Sequence, residues 1–241
     1  MLFNTLVTLF AAAACAAPAH LEARGTVPHD SLSPHAEEIR AGAEGEAIKK
    51  FEPYLHIASG CQPYPAVNEN GDISGGLQDT GSSTGGCKDE SKGQTYVRGG
   101  AYRGRYAIMY AWYFPKDQPN DGDVAGGHRH DWEHIVVWID DAAKTDPTLL
   151  GAAASSHSGY TTTKTPQTRD GTHPQVEYFT NFPTNHELQF KTSPGKEYAM
   201  WDWEVMKDVV KNALKAAKFG DANCPFIDAN WEPKLEKAWV E

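Results

Sequence analysis

The segment Tyr-Ala-Ile-Met-Tyr-Ala-Trp-Tyr-Phe at residues 106–114 decides how this chain is expected to fold. Successive side chains of a β-strand point to opposite faces, so the even-numbered residues share one face and the odd-numbered residues share the other. Both faces are apolar or aromatic, which is typical of a strand buried on both sides. We therefore predict a central strand here that ends at Pro115.

Other apolar segments of the sequence predict the rest of the framework. The predicted strands are residues 53–59, 134–139, 149–156, 175–180 and 187–190, and the predicted loops are residues 60–100, 116–127 and 161–172. Predicted helices cover residues 29–50, with Pro34 at the first helical position, residues 202–218, with Asp202 as the cap, and residues 231–239. Strands in the middle and helices towards the ends predict a mainly β fold, an antiparallel β-sandwich with peripheral helices.

The composition limits the class of partner. The chain has 241 residues, of which 40% are hydrophobic and 22% charged, so we expect one domain with a substantial core over residues 25–241. Its formal net charge is −10 at pH 7. Nucleic acids and anionic lipids attract clustered Lys and Arg, so we expect no nucleic-acid partner. A membrane partner would be reached through a specific head-group contact or a bridging cation.

Residues 1–19 have the pattern of a secretory signal peptide. An apolar run passes into an Ala-rich tract, and Ala17-Pro18-Ala19 places small residues at the cleavage positions. We also consider residues 20–24 as a short pro-segment. No later stretch approaches the roughly 20 apolar residues that cross a bilayer. The sequence therefore predicts a secreted, extracellular protein.

The cysteines are consistent with an oxidising compartment. Removal of the signal peptide also removes Cys15, which leaves Cys61, Cys87 and Cys224. We predict a disulfide between Cys61 and Cys87, both in Gly- and Ser-rich chain, where closing the loop adds about 3 kcal/mol of stability. Cys224 is then a buried, unpaired thiol.

A dense group of ionisable side chains occupies residues 127–133, which are Gly-His-Arg-His-Asp-Trp-Glu. In an extended strand Asp131 and Glu133 point to the same face. Two carboxylates at that spacing repel each other unless a cation neutralises them. The pair is therefore a candidate for cation binding.

Two more ligands lie within reach of this pair. A turn just before Asp131, permitted by Gly126 and Gly127, would bring in His128. Asp117, at the start of the loop that leads back to this point, would supply a third carboxylate. Oxygen ligands with one imidazole favour a hard divalent cation, Mg²⁺ or Ca²⁺.

Two alternatives remain open at this stage. One is a zinc site built from the imidazoles of His128, His130 and His134, although the spacing does not match known zinc clusters of this kind. The other is a polar strand edge without metal, in which Arg129 pairs with the neighbouring carboxylates. Composition and spacing do not separate them.

The heptapeptide at residues 127–133 resembles the signature of the necrosis- and ethylene-inducing peptide 1-like proteins, the NLP cytolysins secreted by fungi, oomycetes and bacteria. The resemblance extends over residues 30–240. It is carried by residues 56–67, 74–77 and 107–117, by the two paired cysteines, and downstream by Asn185-His186, Trp203 and Pro225-Phe226. A single disulfide resembles the simpler, plant-associated type.

This resemblance implies a fold, a cofactor and a set of site residues. The fold would be a β-sandwich flanked by helices, akin to actinoporins and fungal lectins. The divalent cation would lie in an acidic surface cavity at Asp117, His128, Asp131 and Glu133, with Gly127, Arg129, His130 and Trp132 supporting the site. Contacts to a sugar head group would fall at Asn68, Asp72, Phe182, Asn185 and His186.

The resemblance also implies a function. NLPs bind the head groups of plant glycosylinositol phosphorylceramides, damage the plasma membrane, cause necrosis and are recognised by a plant immune receptor through their central segment, without catalytic turnover. We expect a protein of this kind, monomeric in solution. Some cytolytic members have Asp, Trp and Asp at the positions of Asn68, Phe182 and Asn185, and the loop between Asp117 and His128 is longer here. These departures bear on potency and host range and leave the cation cluster intact. The alternative function is a non-cytolytic relative that binds sphingolipids or glycans. A secreted metal-dependent hydrolase is the third hypothesis.

Overall fold

The computed structural model describes residues 25–122, 126–157, 159–181 and 185–241. The predicted signal peptide, the pro-segment and Phe182 lie outside the described residues. In chain order the strands are β1 (Gly25–Val27), β2 (Tyr54–Ile57), β3 (Asp72–Ser74), β4 (Thr95–Tyr102), β5 (Arg105–Asp117), β6 (His128–Ile139), β7 (Leu149–Ser156), β8 (Gly159–Thr163), β9 (Thr168–Arg169), β10 (His173–Thr180), β11 (His186–Phe190) and β12 (Met200–Asp202). The helices are α1 (Ala43–Lys50), α2 (Asp208–Ala216) and α3 (Asp228–Lys237), with short 3₁₀ turns at His29–Ser31 and Glu90–Lys92.

Two sheets make up the body of the fold. The larger sheet has the order β12-β4-β5-β6-β7-β8, and its strands are antiparallel except for the parallel edge pair β12 and β4. The smaller sheet has the order β11-β10-β2, with β9 pairing with β10 and with β2 parallel to β10. A short parallel pair of β1 and β3 lies outside both sheets.

The core lies between and around these sheets. Strand β5 is buried on both faces from Tyr106 to its end, as its apolar pattern predicts. The ring of Phe114 on β5 stacks on the ring of Tyr178 on β10, with centroids 3.9 Å apart, so the two sheets pack face to face. The predicted β-sandwich with peripheral helices is therefore confirmed.

The prediction that Pro115 ends the central strand is wrong. Strand β5 continues to Asp117, and β6 begins at His128 rather than at His134. Pro115 is tolerated because it stands opposite His130, where the two strands do not pair, while its carbonyl accepts a hydrogen bond from the backbone of Leu77 at 2.7 Å. The strand pair therefore carries the charged heptapeptide inside a sheet and not in a loop.

Strand β4 was not predicted, because glycines weaken a strand pattern. Gly99 and Gly100 allow the side chains of Tyr106 and Trp231 to pack closely against the backbone of β4. A Cβ at Gly99 would lie 2.7 Å from the hydroxyl of Tyr106, and one at Gly100 would lie 3.4 Å from the ring of Trp231. The loop predicted at residues 161–172 likewise contains strands, β8 and β9, whose polar side chains hide the strand pattern.

The helices are shorter than predicted or begin elsewhere. Helix α1 starts at Ala43, after Gly42 in the left-handed region with φ 86°, so Pro34 does not begin a helix. Asp202 does not cap α2. It ends β12, fully buried, and its carboxylate accepts hydrogen bonds from the guanidinium of Arg40 at 2.7 and 2.8 Å. Helix α3 starts at Asp228, three residues before the predicted Trp231.

The predicted disulfide joins Cys61 and Cys87, which are 26 residues apart in the chain. Cys224 is a buried free thiol, also as predicted. Between the two bonded cysteines the chain runs through β3, and the backbone amide of Gln62 donates to the carbonyl of Cys87 at 2.9 Å. The disulfide therefore closes the long connection that covers one side of the heptapeptide.

We predict that the double variant Cys61→Ser, Cys87→Ser has a free energy of unfolding lower by about 3 kcal/mol, because its unfolded chain is less constrained. Urea unfolding with and without a reductant measures this. The reductant is expected to destabilise the wild type to the level of the variant and to leave the variant unchanged. Equal stability of the two proteins under oxidising conditions would contradict the role of the disulfide.

Candidate metal centre

The heptapeptide backbone turns at His130. In a regular strand His128 and Asp131 would point to opposite faces. His130 has φ 64°, in the left-handed region, and this single residue brings the two side chains to the same side. The predicted turn before Asp131 is therefore confirmed, but His130 makes it. Gly126, with φ 103°, lies in the preceding turn, and Gly127 has ordinary φ.

The conformation of His130 is held by its neighbours. Its Nδ1 lies 2.6 Å from the hydroxyl of Tyr113, and its ring meets the edge of Phe219 with centroids 5.3 Å apart. Gly76 approaches the same ring so closely that a Cβ there would lie 2.7 Å away. These contacts stabilise a backbone conformation that is uncommon for a residue other than glycine.

Three predicted ligands meet at this point. Asp117, His128 and Asp131 each offer one ligand atom, and all three atoms lie within 4.8 Å of one another. Atoms on opposite sides of an ion are about 4.1 Å apart for Mg²⁺ and about 5 Å apart for Ca²⁺, so the cluster fits either ion with small side-chain movements. Asp117 and Asp131 are buried and His128 is half-buried, so the cluster opens to solvent past the imidazole.

The tautomer of His128 suits a metal ligand. Its Nδ1 lies 2.7 Å from the carbonyl oxygen of His130, so Nδ1–H donates and Nε2 carries the lone pair. Nε2 lies 3.8 Å from a carboxylate oxygen of Asp117 and accepts a hydrogen bond from the side-chain amide of Asn185 at 3.0 Å. A backbone carbonyl that orients the ring in this way is common behind metal-binding imidazoles.

Groups from the second sheet hold the two carboxylates. His186 donates to Asp117 from its Nδ1, at 2.6 Å, and from its backbone amide. Asp131 accepts from the hydroxyl of Tyr178 at 2.9 Å and from the backbone of Trp132 at 2.8 Å. Both acids keep lone pairs for a further ligand, because a carboxylate has about four acceptor positions.

Glu133, the fourth predicted ligand, lies outside the group of three. Its carboxylate accepts a hydrogen bond from Ser155 on β7. Burial, and then the charge of Asp131, raise the pKa of Glu133 well above its usual range. Glu133 therefore interacts electrostatically with the cluster, but its carboxylate oxygens do not converge with the ligand atoms of Asp117, His128 and Asp131.

The electrostatics of the cluster favour the binding of a cation. Burial first, and then the charge of Asp117, raise the pKa of Asp131 to about 7. Burial alone would lower the pKa of His128, but Asp131 and Asp117 outweigh it and raise this pKa. Carboxyls that hold protons near neutral pH are expected when neighbouring acids share a buried site without enough cations.

The two alternatives for the heptapeptide lack structural support. The imidazoles of His128, His130 and His134 do not converge, since His130 is bonded to Tyr113 and Nε2 of His134 lies 2.6 Å from the hydroxyl of Tyr160. Within the described parts of the chain, the single group of three or more such ligands is the one around Asp117. Arg129 donates to the carbonyl of Gly75 at 2.7 Å rather than pairing with the carboxylates.

Gly127 and Trp132 shape the surroundings of the cluster. A Cβ at Gly127 would lie 3.0 Å from the carbonyl oxygen of Asp117, so a larger residue would press on this ligand's backbone. Trp132 packs among the rings of Tyr96, Tyr113 and Phe226. These contacts fit the supporting role predicted for both residues.

The predicted sugar contacts fall in two places. Asn185 lies at the mouth of the cluster, and the ring of His186 is buried beneath it against Asp117. Asn68 lies in the turn before β3 and Asp72 is the first residue of that strand. The side-chain amide of Asn68 donates to the carboxylate of Asp72 at 2.9 Å. Phe182 lies outside the described residues.

Sequence reasoning missed Tyr178 and Ser155, which hold Asp131 and Glu133. The strand patterns predict that Tyr178 faces the core, because it stands two residues after the apolar Val176. No signal along the chain connects either residue with the heptapeptide. Their roles follow from the packing of β10 and β7 against β6.

A family model described as "Necrosis inducing protein (NPP1)" matches residues 45–238. NLP effector protein 2 of Phytophthora capsici is 45% identical over 217 residues, which are 89% of this chain and 87% of the relative. The chain belongs to the NPP1 family of necrosis-inducing proteins. The family resemblance inferred from the heptapeptide is thereby confirmed.

Solved structures of NPP1-family proteins share the fold. NLPPya in complex with mannosamine is 41% identical with a TM-score of 0.83, and the match covers 90% of this chain and 100% of that one. The non-toxic HaNLP3 protein is 40% identical with a TM-score of 0.82, covering 88% and 98%. The fold of this NPP1-family member therefore occurs both in a sugar complex and in a non-toxic relative.

The raised pKa of Asp131 makes the stability of the cation-free protein depend on pH. The folded pKa, about 7, lies above the ordinary value of 3.8, so the folded protein retains a proton that the unfolded chain releases. We expect the free energy of unfolding in chelator to fall as pH rises from about 4 to about 7, by up to about 4 kcal/mol from this group.

Chemical unfolding at pH 4.5, 6 and 7.5 measures this dependence. The matched variant Asp131→Asn lacks the ionisable group and is expected to lose much of the slope. Millimolar Mg²⁺ or Ca²⁺ is expected to reduce the slope of the wild type, since the cation stabilises the ionised carboxylate. Parallel pH profiles of wild type and variant in chelator would contradict the assignment.

Proposed function

We propose that this protein is a secreted toxin that damages plant plasma membranes without catalytic turnover. It binds Mg²⁺ or Ca²⁺ at Asp117, His128, Asp131 and Glu133 and uses the cation to bind sugar head groups of plant glycosylinositol phosphorylceramides. The observation that carries this proposal is the convergence of Asp117, His128 and Asp131 within 4.8 Å.

The burial of two carboxylates favours a bound cation at this site. Asp117 and Asp131 are 1% and 6% exposed, and buried like charges are costly unless a cation compensates them. Two carboxylate oxygens and one imidazole form a donor set suited to a hard divalent ion. Glu133 completes the site in this proposal, either by a change of rotamer or through a water on the ion, because Mg²⁺ retains waters in most protein sites.

A bound cation would also explain how an acidic protein contacts a sugar. Sugar hydroxyls are neutral oxygen ligands that can replace waters on a hard divalent ion. The related NLPPya binds mannosamine. We assign the sugar contacts to Asn68, Asp72, Phe182, Asn185 and His186. Of these, Asn185 stands next to His128, and the ring of His186 orients Asp117.

The protein would act from outside the plant cell. Residues 1–19 are proposed as the signal peptide. Among the described residues, no helix combines the length and the apolar character that a membrane crossing requires. We propose that the mature protein is a monomer in solution, and that a plant immune receptor recognises its central segment.

The alternative is a non-cytolytic protein that binds sphingolipid or other glycans. The observation in its favour is the close structural match to the non-toxic HaNLP3 protein. In the alternative the cation site and the sugar site persist, and the step that damages the membrane is lost. Binding and leakage therefore have to be measured separately.

We expect the wild type to release dye from vesicles that contain plant glycosylinositol phosphorylceramides, and chelator to stop the release. Asp131→Asn is expected to reduce the rate at least about tenfold, because it removes a charged cation ligand with little change of shape. Fluorescence of an entrapped dye, with and without Mg²⁺, is the measurement.

The matched control is Asp170→Asn, at an exposed position with φ 54° that asparagine adopts readily. This variant is expected to leak dye like the wild type. Vesicle binding by the wild type without leakage would establish the non-cytolytic alternative. Undiminished leakage by Asp131→Asn, with correct folding, would contradict the cation site.

A further inference from the structure

A cavity of about 600 Å³ opens beside the cation cluster. Strand β6 contributes His128, Asp131 and Glu133 to its wall, and helix α3 contributes Lys234 and Lys237. The remaining wall comes from the ends of β7 and β8 and from the connection between α2 and α3. We call this space the lysine cavity. Its volume lies within the range of about 300–1,000 Å³ that is usual for small-molecule sites.

The two lysines of α3 that line the cavity, Lys234 and Lys237, form no ion pair within the described residues. No carboxylate of the described residues lies within 4 Å of the amines of Lys234 and Lys237, whereas Lys207 and Lys215 near α2 pair with Glu69 and Asp228 at 2.8 and 2.6 Å. Lys234 is also half-buried. Holding two like charges next to each other at a cavity is unfavourable unless an anion compensates them.

The charges change sign along the cavity. Asp131 and Glu133 come from β6, and Lys234 and Lys237 come from α3, so the wall has an acidic side and a basic side. Asp221 is a further acid in the wall.

Two side chains of the wall have buried polar atoms without a partner. Nε1 of Trp132 and Nδ1 of His134 make no hydrogen bond among the described residues, and both side chains line the cavity. A buried polar atom without a hydrogen-bond partner destabilises the folded protein. Two side chains of β6 with an unpaired polar atom beside the same cavity point to a bound molecule that supplies the partner.

The hydrogen-bond partner of His134 determines which nitrogen of its ring can donate. Its Nε2 lies 2.6 Å from the hydroxyl of Tyr160, another residue of the cavity wall. When this hydroxyl donates to Nε2, Nδ1 carries the hydrogen and joins the indole N–H of Trp132 as a donor.

We infer that the lysine cavity binds a phosphate group, with Lys234 and Lys237 as its counter-charges and Trp132 and His134 as neutral donors. This inference rests on the proposed function, and it identifies the phosphate of the inositol head group as the occupant. The cation binds sugar hydroxyls at the acidic side, and the lysines bind the phosphate at the basic side. In this proposal the ceramide remains in the membrane, outside the cavity.

Soluble probes test the cavity without a membrane. Isothermal titration of the full chain in Mg²⁺ compares myo-inositol 1-phosphate with myo-inositol and with inorganic phosphate. We expect the phosphorylated inositol to bind at least about tenfold more tightly than myo-inositol, because charge-assisted hydrogen bonds are the stronger class. Equal affinities for these two probes would overturn the inference.

Substitutions locate the phosphate. In the double variant Lys234→Gln, Lys237→Gln the affinity for myo-inositol 1-phosphate is expected to fall to that for myo-inositol, and Lys234→Arg with Lys237 intact is expected to keep it. Lys49→Gln removes a helical, exposed lysine that does not line the cavity and is expected to change nothing. A double variant with wild-type Tm and wild-type affinity would overturn the assignment.

Vesicles distinguish a lipid phosphate from a free one. The double variant is expected to bind vesicles of plant glycosylinositol phosphorylceramide at least about tenfold more weakly than the wild type, and to bind glucosylceramide vesicles, which lack phosphate, equally well. Loss of inositol phosphate affinity without weaker vesicle binding would overturn the head group as the source.

The two proposals fail in different ways. If the wild type in Mg²⁺ does not bind the sphingolipid vesicles, the proposed function fails, and the inositol phosphate titration still decides whether the cavity binds phosphate. If the wild type lyses these vesicles and the lysine variant lyses them equally, the proposed function stands and the lysine cavity has no part in it.

Discussion

The pairing of β5 with β6 beyond Pro115 is the constraint on which the candidate site depends. It places Asp117 directly opposite His128, at the end of two strands that are buried almost throughout. The left-handed backbone of His130 then turns Asp131 towards the same point. Three ligands from two strands are therefore positioned by backbone hydrogen bonds and core packing, which hold geometry better than a free loop does.

The second sheet supplies the hydrogen-bond donors that orient the two carboxylates. Tyr178 and His186, on β10 and β11, reach across the sandwich to hydrogen bond the two carboxylates. The stack of Tyr178 on Phe114 belongs to the core and to the site at once. Packing of the sheets and orientation of the acids are therefore one structural feature, and a change that loosens the sandwich is expected to disturb the site.

Sequence patterns predicted the convergence of three side chains better than they predicted the boundaries of the elements. The spacing of the acids and His128 was sufficient to nominate three residues that do converge, because strand periodicity and one turn determine their directions. Glu133 shares the strand face but is drawn to Ser155, a residue of another strand. Strand β4 was not predicted from the sequence because Gly99 and Gly100 have a low strand propensity. These glycines allow close packing against Tyr106 and Trp231, which only the structure shows.

The sequence alone determined the buried central strand, the disulfide between Cys61 and Cys87, and family membership through the heptapeptide. These properties are local, because alternation, loop chemistry and a contiguous motif are readable along the chain. Only the tertiary structure decided which partners Asp131 receives and that Lys234 stands over a cavity beside it. Those neighbours lie far apart in sequence, and their proximity follows from strand register and from packing of the whole core.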